Sequence, residues 1–444
     1  GSKSDKKNYR PVSNLAVLGK CIEAAADIQM RQYCEKYNLF GSHQHGFRRF
    51  RSTTTALLTA VSRWRAKRAE KKFQAVVLFD LSAAYDLLDR DLFLKKAEVL
   101  GFSAQAINWL RSYLSNRSQL VQVNDMQSKP QELDCGTPQG SICSCLIFAI
   151  FVGDIEKWTG DSIVQGFADD TFITVDGMCI DEVCRKAEAE SKRVMEYFAA
   201  NKMVMNPSKT GLLVLRPNKT LEKSATIEIA GENISEISET KILGLWVTND
   251  LRWKKQTETL ISETNYSLSV LRRLKRFLSS RELKMLAEGM IMSKIRYCAT
   301  VYGCEWIRLD EEDPLSSMQH DIQKIQNNAL RIITNTKRSD HVRISDMLNM
   351  VGWQSINQIV SYASLIEIWK AKAFKVPYLD SLLQIKHNKY QSLRSNTKHV
   401  LESTTDEPFA NIVEKLYNKT TDRFKNTNLI NNAKHEARSM VSFN

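Results

Sequence analysis

The chain has 444 residues, a formal net charge of +13 and a pI near 9.2, with 43% of its residues apolar. That length allows two or three subdomains around a sizeable core; the apolar content excludes a disordered basic tail, so the excess of cations points to an anionic polymer or surface as partner. Nine cysteines without a Cys-x-x-Cys pair or a His-rich companion spacing give no support to a zinc site, and the longest apolar stretch, Cys145 to Val152, is far too short to span a membrane.

In chain order, residues 9–70 read as mainly helical, with helical spacing of apolar positions from Cys21 to Tyr37. Residues 75–79 form a continuous apolar run that fits a buried strand. Helices are expected around Asp91–Leu100 and from Ala104 to Leu114, and Val121–Val123 opens a strand pair. The turn-rich Cys135-Gly-Thr-Pro-Gln-Gly-Ser141 leads into an apolar helix at 142–152. After a hairpin at 163–175, Asp181 to Asn201 is strongly amphipathic, and strands are expected at Gly211–Leu215, Thr226–Ile229 and Lys241–Val247. From about residue 255 the pattern turns helical: Leu260, Thr264, Leu268, Leu271, Leu274 and Leu278 form a stripe, and helical spacing continues to about Lys372. Residues 381–444 are polar and weakly periodic, with helices expected at 409–417 and 429–440. Mixed elements followed by helices suggest an α+β core with an all-helical appendage. The irregular cysteines suggest reduced thiols and an intracellular compartment. No signal peptide is visible, and the leading Gly-Ser reads as a cloning remnant on a piece of a longer protein.

The chemistry concentrates in two places. Asp169 and Asp170 fall at the tip between two short apolar strands, in Ile163-Val-Gln-Gly-Phe-Ala-Asp-Asp-Thr-Phe-Ile-Thr-Val175. Neighbouring carboxylates repel and are costly to desolvate without a cation between them, and Mg²⁺ suits hard oxygen ligands. A bare turn is the competing reading, since Asp favours turns. Asp80 follows the apolar run of residues 75–79, and strand ends commonly carry ligand-binding acids. Two strands that each deliver an acid to one point could hold two Mg²⁺ ions about 3.5–4 Å apart, as in two-metal phosphoryl transfer.

Phe79-Asp-Leu-Ser-Ala-Ala-Tyr-Asp86, Gly136-Thr-Pro-Gln-Gly-Ser141 and Phe167-Ala-Asp-Asp170 resemble successive palm motifs of a reverse transcriptase. Tyr9-Arg-Pro-Val-Ser-Asn-Leu15, Gln44-His-Gly-Phe-Arg48 with Arg51-Ser-Thr-Thr54, Asn206-Pro-Ser-Lys-Thr210 and Lys241-Ile-Leu-Gly-Leu245 resemble those of non-LTR retrotransposons, jockey-like elements especially. The likeness is strong over residues 9–255 and loose to about 372. It implies a right-hand polymerase: an N-terminal extension and fingers at 1–72, a palm with the remaining fingers elements and a primer-grip hairpin at 73–254, a helical thumb and following helices at 255–372, and a polar C-terminal extension at 373–444.

The resemblance implies that Asp80 and Asp169 are metal ligands, joined by the backbone carbonyl of Leu81, while Asp170 either ligates or only shapes the local charge. The metal expected is Mg²⁺, with Mn²⁺ as a substitute. Tyr85 stands where a bulky ring would collide with a ribose 2′-OH, which implies deoxynucleotide selection. Gly140 would let the backbone approach the nucleotide or template, and Gln139 would line the pocket for base or sugar. Arg48 and Arg51 either pair with the triphosphate, which suits a guanidinium, or belong to a generic basic surface. Phe50 stands where glycine is frequent. Lys209 is either the general acid for pyrophosphate or a surface lysine after a turn. Leu243 and Gly244 resemble the tip of the primer grip. Arg272, Arg273, Lys275 and Arg276 either track template–primer phosphates or form a solvated helix face. Cys143 and Cys145 replace an aliphatic residue and a frequent proline, which puts the entry of the following helix in question.

The implied reaction extends a primer 3′-OH with dNTPs on an RNA template, by target-primed reverse transcription. Implied partners are an RNA template, a DNA primer or target DNA, and dNTPs, with no membrane; the implied location is the nucleus, with a cytoplasmic phase. No endonuclease segment and no C-terminal Cys/His cluster is evident, so these lie outside this sequence or are lacking. The alternatives are a nucleic-acid-binding scaffold that needs no catalysis, against which three retained repulsive carboxylates argue, and another cellular reverse transcriptase such as a group II intron maturase.

Overall fold

The computed structural model describes residues 12–13, 15–217, 224–308, 316–376, 378–386, 400–403, 408–427 and 430–442. The segment Tyr9–Leu15 and the expected start of the last helix at residue 429 therefore lie partly outside the described residues. The chain divides into two compact units. The first takes the chain up to Ser52, Lys72–Val214 and the strands that end at Ile237; the second takes Thr53–Lys71, Leu215–Pro217 and the chain from Ser238 onward.

In chain order the elements are α1 (Val17–Lys36), α2 (Thr53–Ala69), β1 (Phe73–Phe79), β2 (Leu81–Ser82), α3 (Arg90–Val99), α4 (Ala104–Leu114), and the short strands β3 (Ser118–Gln119), β4 (Gln122–Val123), β5 (Met126–Gln127) and β6 (Gln131–Glu132). They continue with α5 (Ile142–Phe151), β7 (Ile163–Phe167), β8 (Asp170–Gly177), α6 (Ile180–Ala200), β9 (Val204–Met205), β10 (Gly211–Leu215), β11 (Thr226–Ile229) and β12 (Glu232–Ile237). All of these except α2 build the first unit, whose centre is a six-stranded sheet in the order β11-β12-β10-β1-β8-β7. β1 lies inside that sheet, which explains its unbroken apolar run: Ala75, Val76 and Val77 are fully buried. α6 covers one face, burying Val183, Ala187, Val194, Tyr197 and Phe198, with Asp181 and Glu182 in its first turn where the helix dipole favours acids. α3 and α4 are capped by Asp89 and Ser103, each accepting from a backbone N–H of the first turn.

The doubt over α5 is resolved by a residue from another helix. Buried Glu23 on α1 accepts from Ile142 N at 2.9 Å and Ser141 Oγ at 3.0 Å, satisfying the helix start without proline. Cys143 is fully buried and its thiol donates to Glu23 O at 3.3 Å.

The second unit adds β13 (Glu239–Ile242), β14 (Leu245–Thr248), α7 (Lys254–Leu274), α8 (Ser280–Ala287), α9 (Ser293–Arg296), α10 (Ala299–Gly303), α11 (Ser317–Ile333), α12 (Ile344–Val351) and α13 (Ile356–Phe374). It continues with β15 (Leu383–Lys386), β16 (Val400–Ser403), α14 (Pro408–Asn418), α15 (Asp422–Asn426) and α16 (Ile430–Ser442). The β-rich stretch at 241–247 lies in a hairpin, as the resemblance implies, with Leu243 and Gly244 as its turn.

The two compact units group the chain differently from the expected domains. α2 groups with the later helices rather than with residues 1–72: Thr54 Oγ1 donates to Cys298 Sγ at 3.6 Å and Arg65 pairs with Glu305 at 2.5 Å. The β13–β14 hairpin also belongs to this unit, tied to α7 by Lys255–Glu239 at 2.9 Å. Beyond residue 372, α14 and α16 pack on α13 and so join the helical core. α14 buries Phe409, Val413 and Tyr417, and Trp369 Nε1 donates to Thr427 O at 2.9 Å.

Candidate active site

β1 and β8 are antiparallel neighbours with Phe79 opposite Thr171, so Asp80, one residue further, comes out opposite Asp170. β7 and β8 close at Phe167–Asp170, which leaves Ala168 and Asp169 as the turn. Ala168 is buried and left-handed, with φ 60°, a conformation that costs an L-residue about 1–2 kcal/mol. The three acids thus share one sheet edge. Asp170 is solvent-exposed, yet its carboxyl titrates above its ordinary value, through desolvation first and then the charges of Asp169 and Asp80.

No three His, Cys, Asp or Glu side chains converge to hold a metal among the described residues. The expected ligand set is therefore not a preformed cage: the acids feel one another's charge without meeting at one point. Their chemistry fits a hard divalent cation all the same, since every donor is a carboxylate or carbonyl oxygen and the repulsion raising Asp170 is what a cation would relieve. Lys209 partly serves that purpose here, with Nζ 3.2 Å from Asp80 Oδ2. It arrives there because Asn206 N donates to Asp80 O at 3.0 Å, extending the β2–β9 pair. The alternation of an antiparallel ladder then places Leu81 at a non-hydrogen-bonded position, with its carbonyl off that ladder.

Tyr85, in the turn after β2, lies half-buried against α5, its ring centroid 4.6 Å from that of Phe148. Burial first, then Cys145 and Asp169, push its phenol well above the ordinary range, so it stays protonated. The loop after Cys135 is fastened to the turn that carries Tyr85. Thr137 N donates to Tyr85 O at 2.9 Å and Gly136 N to Leu88 O at 2.7 Å. Gln139 Nε2 donates to both oxygens of Asp86 at 2.8 Å. In this structure Gln139 is engaged by Asp86, since a carboxylate is a strong acceptor. Gly136 approaches backbone closely, as a Cβ there would lie 2.5 Å from Asp86 O, while a Cβ on Gly140, at φ +98°, would have Ser13 O nearest at 3.4 Å.

Arg48 and Arg51 both meet acceptors within the protein. Arg48 is 8% exposed, its guanidinium held by Glu35 at 3.0 Å and by Gly41 O at 3.1 Å, and it stacks on Phe40. Arg51 donates to Ser42 O at 2.8 Å and Gln44 O at 3.1 Å, and burial, then the charge of Arg48, pushes it down to about 10. Both brace the 41–51 loop instead of presenting a free guanidinium, because buried cations are tolerated only when paired. Phe50 takes φ 61°, the backbone state that explains why glycine suits the position.

The same loop is anchored by Glu156, which accepts from Ser42 Oγ at 2.6 Å and His43 N at 2.8 Å, with His43 Nδ1 at 3.2 Å. Burial pushes this carboxyl up, but the hydrogen bond and charge of His43 and the hydrogen bonds from Ser42 outweigh it and hold it at about 2, against an ordinary 4.5. A depressed acid stabilises the fold above its ordinary value and loses that contribution as pH falls through the folded one. Glu156→Gln should therefore lower Tm at pH 7, with the difference from wild type fading between about pH 4.5 and 2. A difference that stays constant across melts from pH 7 to 2 would refute this.

In the second unit, Leu243 at φ 48° and Gly244 at φ 80° turn the hairpin. Tyr297 OH donates to Leu243 O at 2.5 Å, and its ring faces Gly244. Sequence reasoning missed Tyr297, as it missed Gly136 and Asp86, because a contact partner far along the chain leaves no local periodicity. Arg272, Arg273 and Arg276 are exposed at the end of α7 and just beyond it, and Lys275 is half-buried.

The antiparallel strands β1, β7 and β8 thus bring three acids together, with the Tyr85 ring near Asp169 and Lys209 beside Asp80. The chain belongs to the reverse transcriptase (RNA-dependent DNA polymerase) family, whose model matches residues 2–247. It is 24% identical over 341 residues to the probable RNA-directed DNA polymerase from transposon BS of Drosophila melanogaster, covering 74% of this chain and 36% of the relative. It is 22% identical over 313 residues to the RNA-directed DNA polymerase from mobile element jockey of Drosophila funebris, covering 67% and 33%. These relatives are non-LTR, LINE-type elements, and they favour neither the intron maturase nor the catalysis-free scaffold. The chain spans about a third of their length. Among solved structures it is similar to telomerase from Candida albicans in complex with the TWJ fragment of telomeric RNA, with a TM-score of 0.36, 13% identity, and coverage of 83% of this chain and 59% of that one. Mixed helix and sheet with these motifs is consistent with a right-hand polymerase fold. Reverse transcriptases are generally dependent on a divalent metal. Among the described residues no helix is long and apolar enough to cross a membrane.

Proposed function

We propose that this chain extends a primer 3′-OH with dNTPs on an RNA template, in retrotransposition by target-primed reverse transcription. The observation that carries the reading is the strand register that brings Asp80 opposite Asp170, with Asp169 in the adjoining turn. Asp80, Asp169 and the Leu81 carbonyl would hold Mg²⁺, or Mn²⁺ in its place, with Asp170 in a lesser, charge-shaping role. The bound metal supplies Lewis-acid activation of the 3′-OH and neutralises charge on the departing pyrophosphate.

The remaining chemistry is the protein's own. Lys209 carries a proton on Nζ within reach of Asp80, placed to give it to the leaving pyrophosphate. Tyr85, kept protonated and seated on Phe148, fills the space a ribose 2′-OH would need. Gly136 and the Gln139–Asp86 pair hold the following loop against that ring. Residues of the first unit would act as fingers and palm, and the helices after 255 as thumb. The partners proposed are an RNA template, a DNA primer or nicked target DNA, and dNTPs; the site of action is the nucleus, reached from the cytoplasm.

Extension of oligo(dT) on poly(rA) with Mg²⁺ tests the reaction: template-dependent dTTP incorporation is expected, and none from the wild-type protein would reject it. Template–primer affinity should also fall steeply with salt. Replacing Arg272, Arg273, Lys275 and Arg276 by Gln should reduce the log–log salt slope by roughly 0.7–0.9 for each phosphate contact removed. An unchanged slope would remove these residues from the nucleic-acid surface.

A further inference from the structure

The loop that Arg48 and Arg51 brace runs beside the acid-bearing hairpin. His45 N donates to Gly166 O at 2.9 Å and Gly166 N to His43 O at 3.2 Å, so Gln44 forms a parallel bridge with Gly166 on β7. Gln44 is 1% exposed. Its Oε1 accepts from Gly46 N at 2.8 Å and from Ala168 N at 3.1 Å. Two backbone N–H donors at one atom require an oxygen there, which fixes the orientation of the amide. The approach leaves no spare room: a Cβ on Gly46 would lie 2.5 Å from Ala168 N.

Ala168 is the left-handed residue immediately before Asp169, and as a turn residue its N–H has no strand partner of its own. We propose that Gln44 is a positioning residue for the active site: its buried amide oxygen fixes the Ala168 peptide and so the direction in which the Asp169 carboxylate is presented. This role rests on the reading of Asp169 as a catalytic acid. Gln44 touches no reacting group; it acts through the backbone of the turn. The bracing ion pairs at Arg48 and Glu156 then have a purpose beyond loop stability, because they hold the loop that holds the turn.

The test uses Gln44→Met, which keeps the side-chain length and removes the accepting oxygen, beside Gln44→Glu, which keeps an acceptor. Hydrogen exchange is followed in peptides spanning 163–172, Mn²⁺ binding by EPR without substrate, and primer extension as kcat and KM for dTTP. For a folded Gln44→Met protein, exchange across 163–172 accelerates, Mn²⁺ binds more weakly, and kcat falls roughly 10- to 100-fold with KM little changed, as expected for a misplaced catalytic group. Gln44→Glu retains slow exchange in the same peptides. Wild-type kcat in Gln44→Met overturns the positioning role, as does a lost kcat with exchange and Mn²⁺ binding unchanged. Should Gln44→Met not fold, Gln44→Glu decides: exchange across 163–172 as fast as in exposed loops overturns the proposal, and slow exchange upholds it. A wild-type protein that extends no primer overturns the polymerase reading itself, and with it this role.

Discussion

Asp169→Asn is expected to extinguish primer extension and to leave the protein folded. Asp169 occupies the turn between β7 and β8, half-exposed, so its carboxylate contributes little to packing. Its value is electrostatic. Removing one anionic ligand from a metal-assisted phosphoryl transfer forfeits several kcal/mol of transition-state stabilisation, or about 10³-fold or more in rate at 1.36 kcal/mol per tenfold. The fold should if anything gain. Asp170 is held above its ordinary value partly by Asp169, and an acid whose folded value is raised binds protons more tightly when folded. That penalty appears as pH rises through the raised value and vanishes below the ordinary carboxylate range. Asp169→Asn is therefore expected to melt at or slightly above the wild-type temperature at pH 7, with no gain at acid pH. Incorporation within tenfold of wild type by a folded Asp169→Asn protein would remove Asp169 from the reaction.

Tyr85→Ala is expected to let ribonucleotides in. The ring of Tyr85 rests on Phe148, itself fully buried on α5, so its position is set by packing rather than by solvent. A pocket contact of this size is worth about 1–3 kcal/mol, and the preference for dNTP over rNTP should fall roughly 10- to 200-fold. Tyr85→Phe should keep the preference, because the ring and not the phenol OH excludes the 2′-OH. Truncation to Ala also uncovers Phe148 and is expected to cost about 2–3 kcal/mol of stability, so the two variants are compared as ratios of kcat/KM for dTTP and UTP rather than as absolute rates. An equal ratio in wild type and Tyr85→Ala would end the selectivity argument.

Local pattern carried far into the structure where an element's own residues decide it. The apolar run of β1, the helix at Ala104–Leu114 and the strands Gly211–Leu215 and Thr226–Ile229 stand as the periodicity predicts. Asp80 and the Asp169–Asp170 pair also reach one edge, because a strand end and a hairpin tip are local features. Local pattern carried no signal where a partner far along the chain was decisive. α2 reads as part of an N-terminal helical region, yet its partners are Cys298 and Glu305. The chain beyond residue 372 reads as a polar extension because its apolar positions are few, yet the apolar face of α14 is buried and α14 and α16 pack on α13. Arg48 and Arg51 show the limit most clearly. Two arginines beside a family motif invite a phosphate, but which acceptor a guanidinium meets depends on where Glu35, Ser42 and Gln44 fold to.

The amino-acid sequence by itself therefore determined which groups this protein carries: three acids brought to one place, a bulky ring near them, and an excess of basic residues. Only the tertiary structure decided how that chemistry is held. Hydrogen bonds such as Gln44 to Ala168, Gln139 to Asp86 and Tyr297 to Leu243 join residues many positions apart. Their partners are chosen by burial, because a polar group shut away from water must pair with whatever the fold brings beside it.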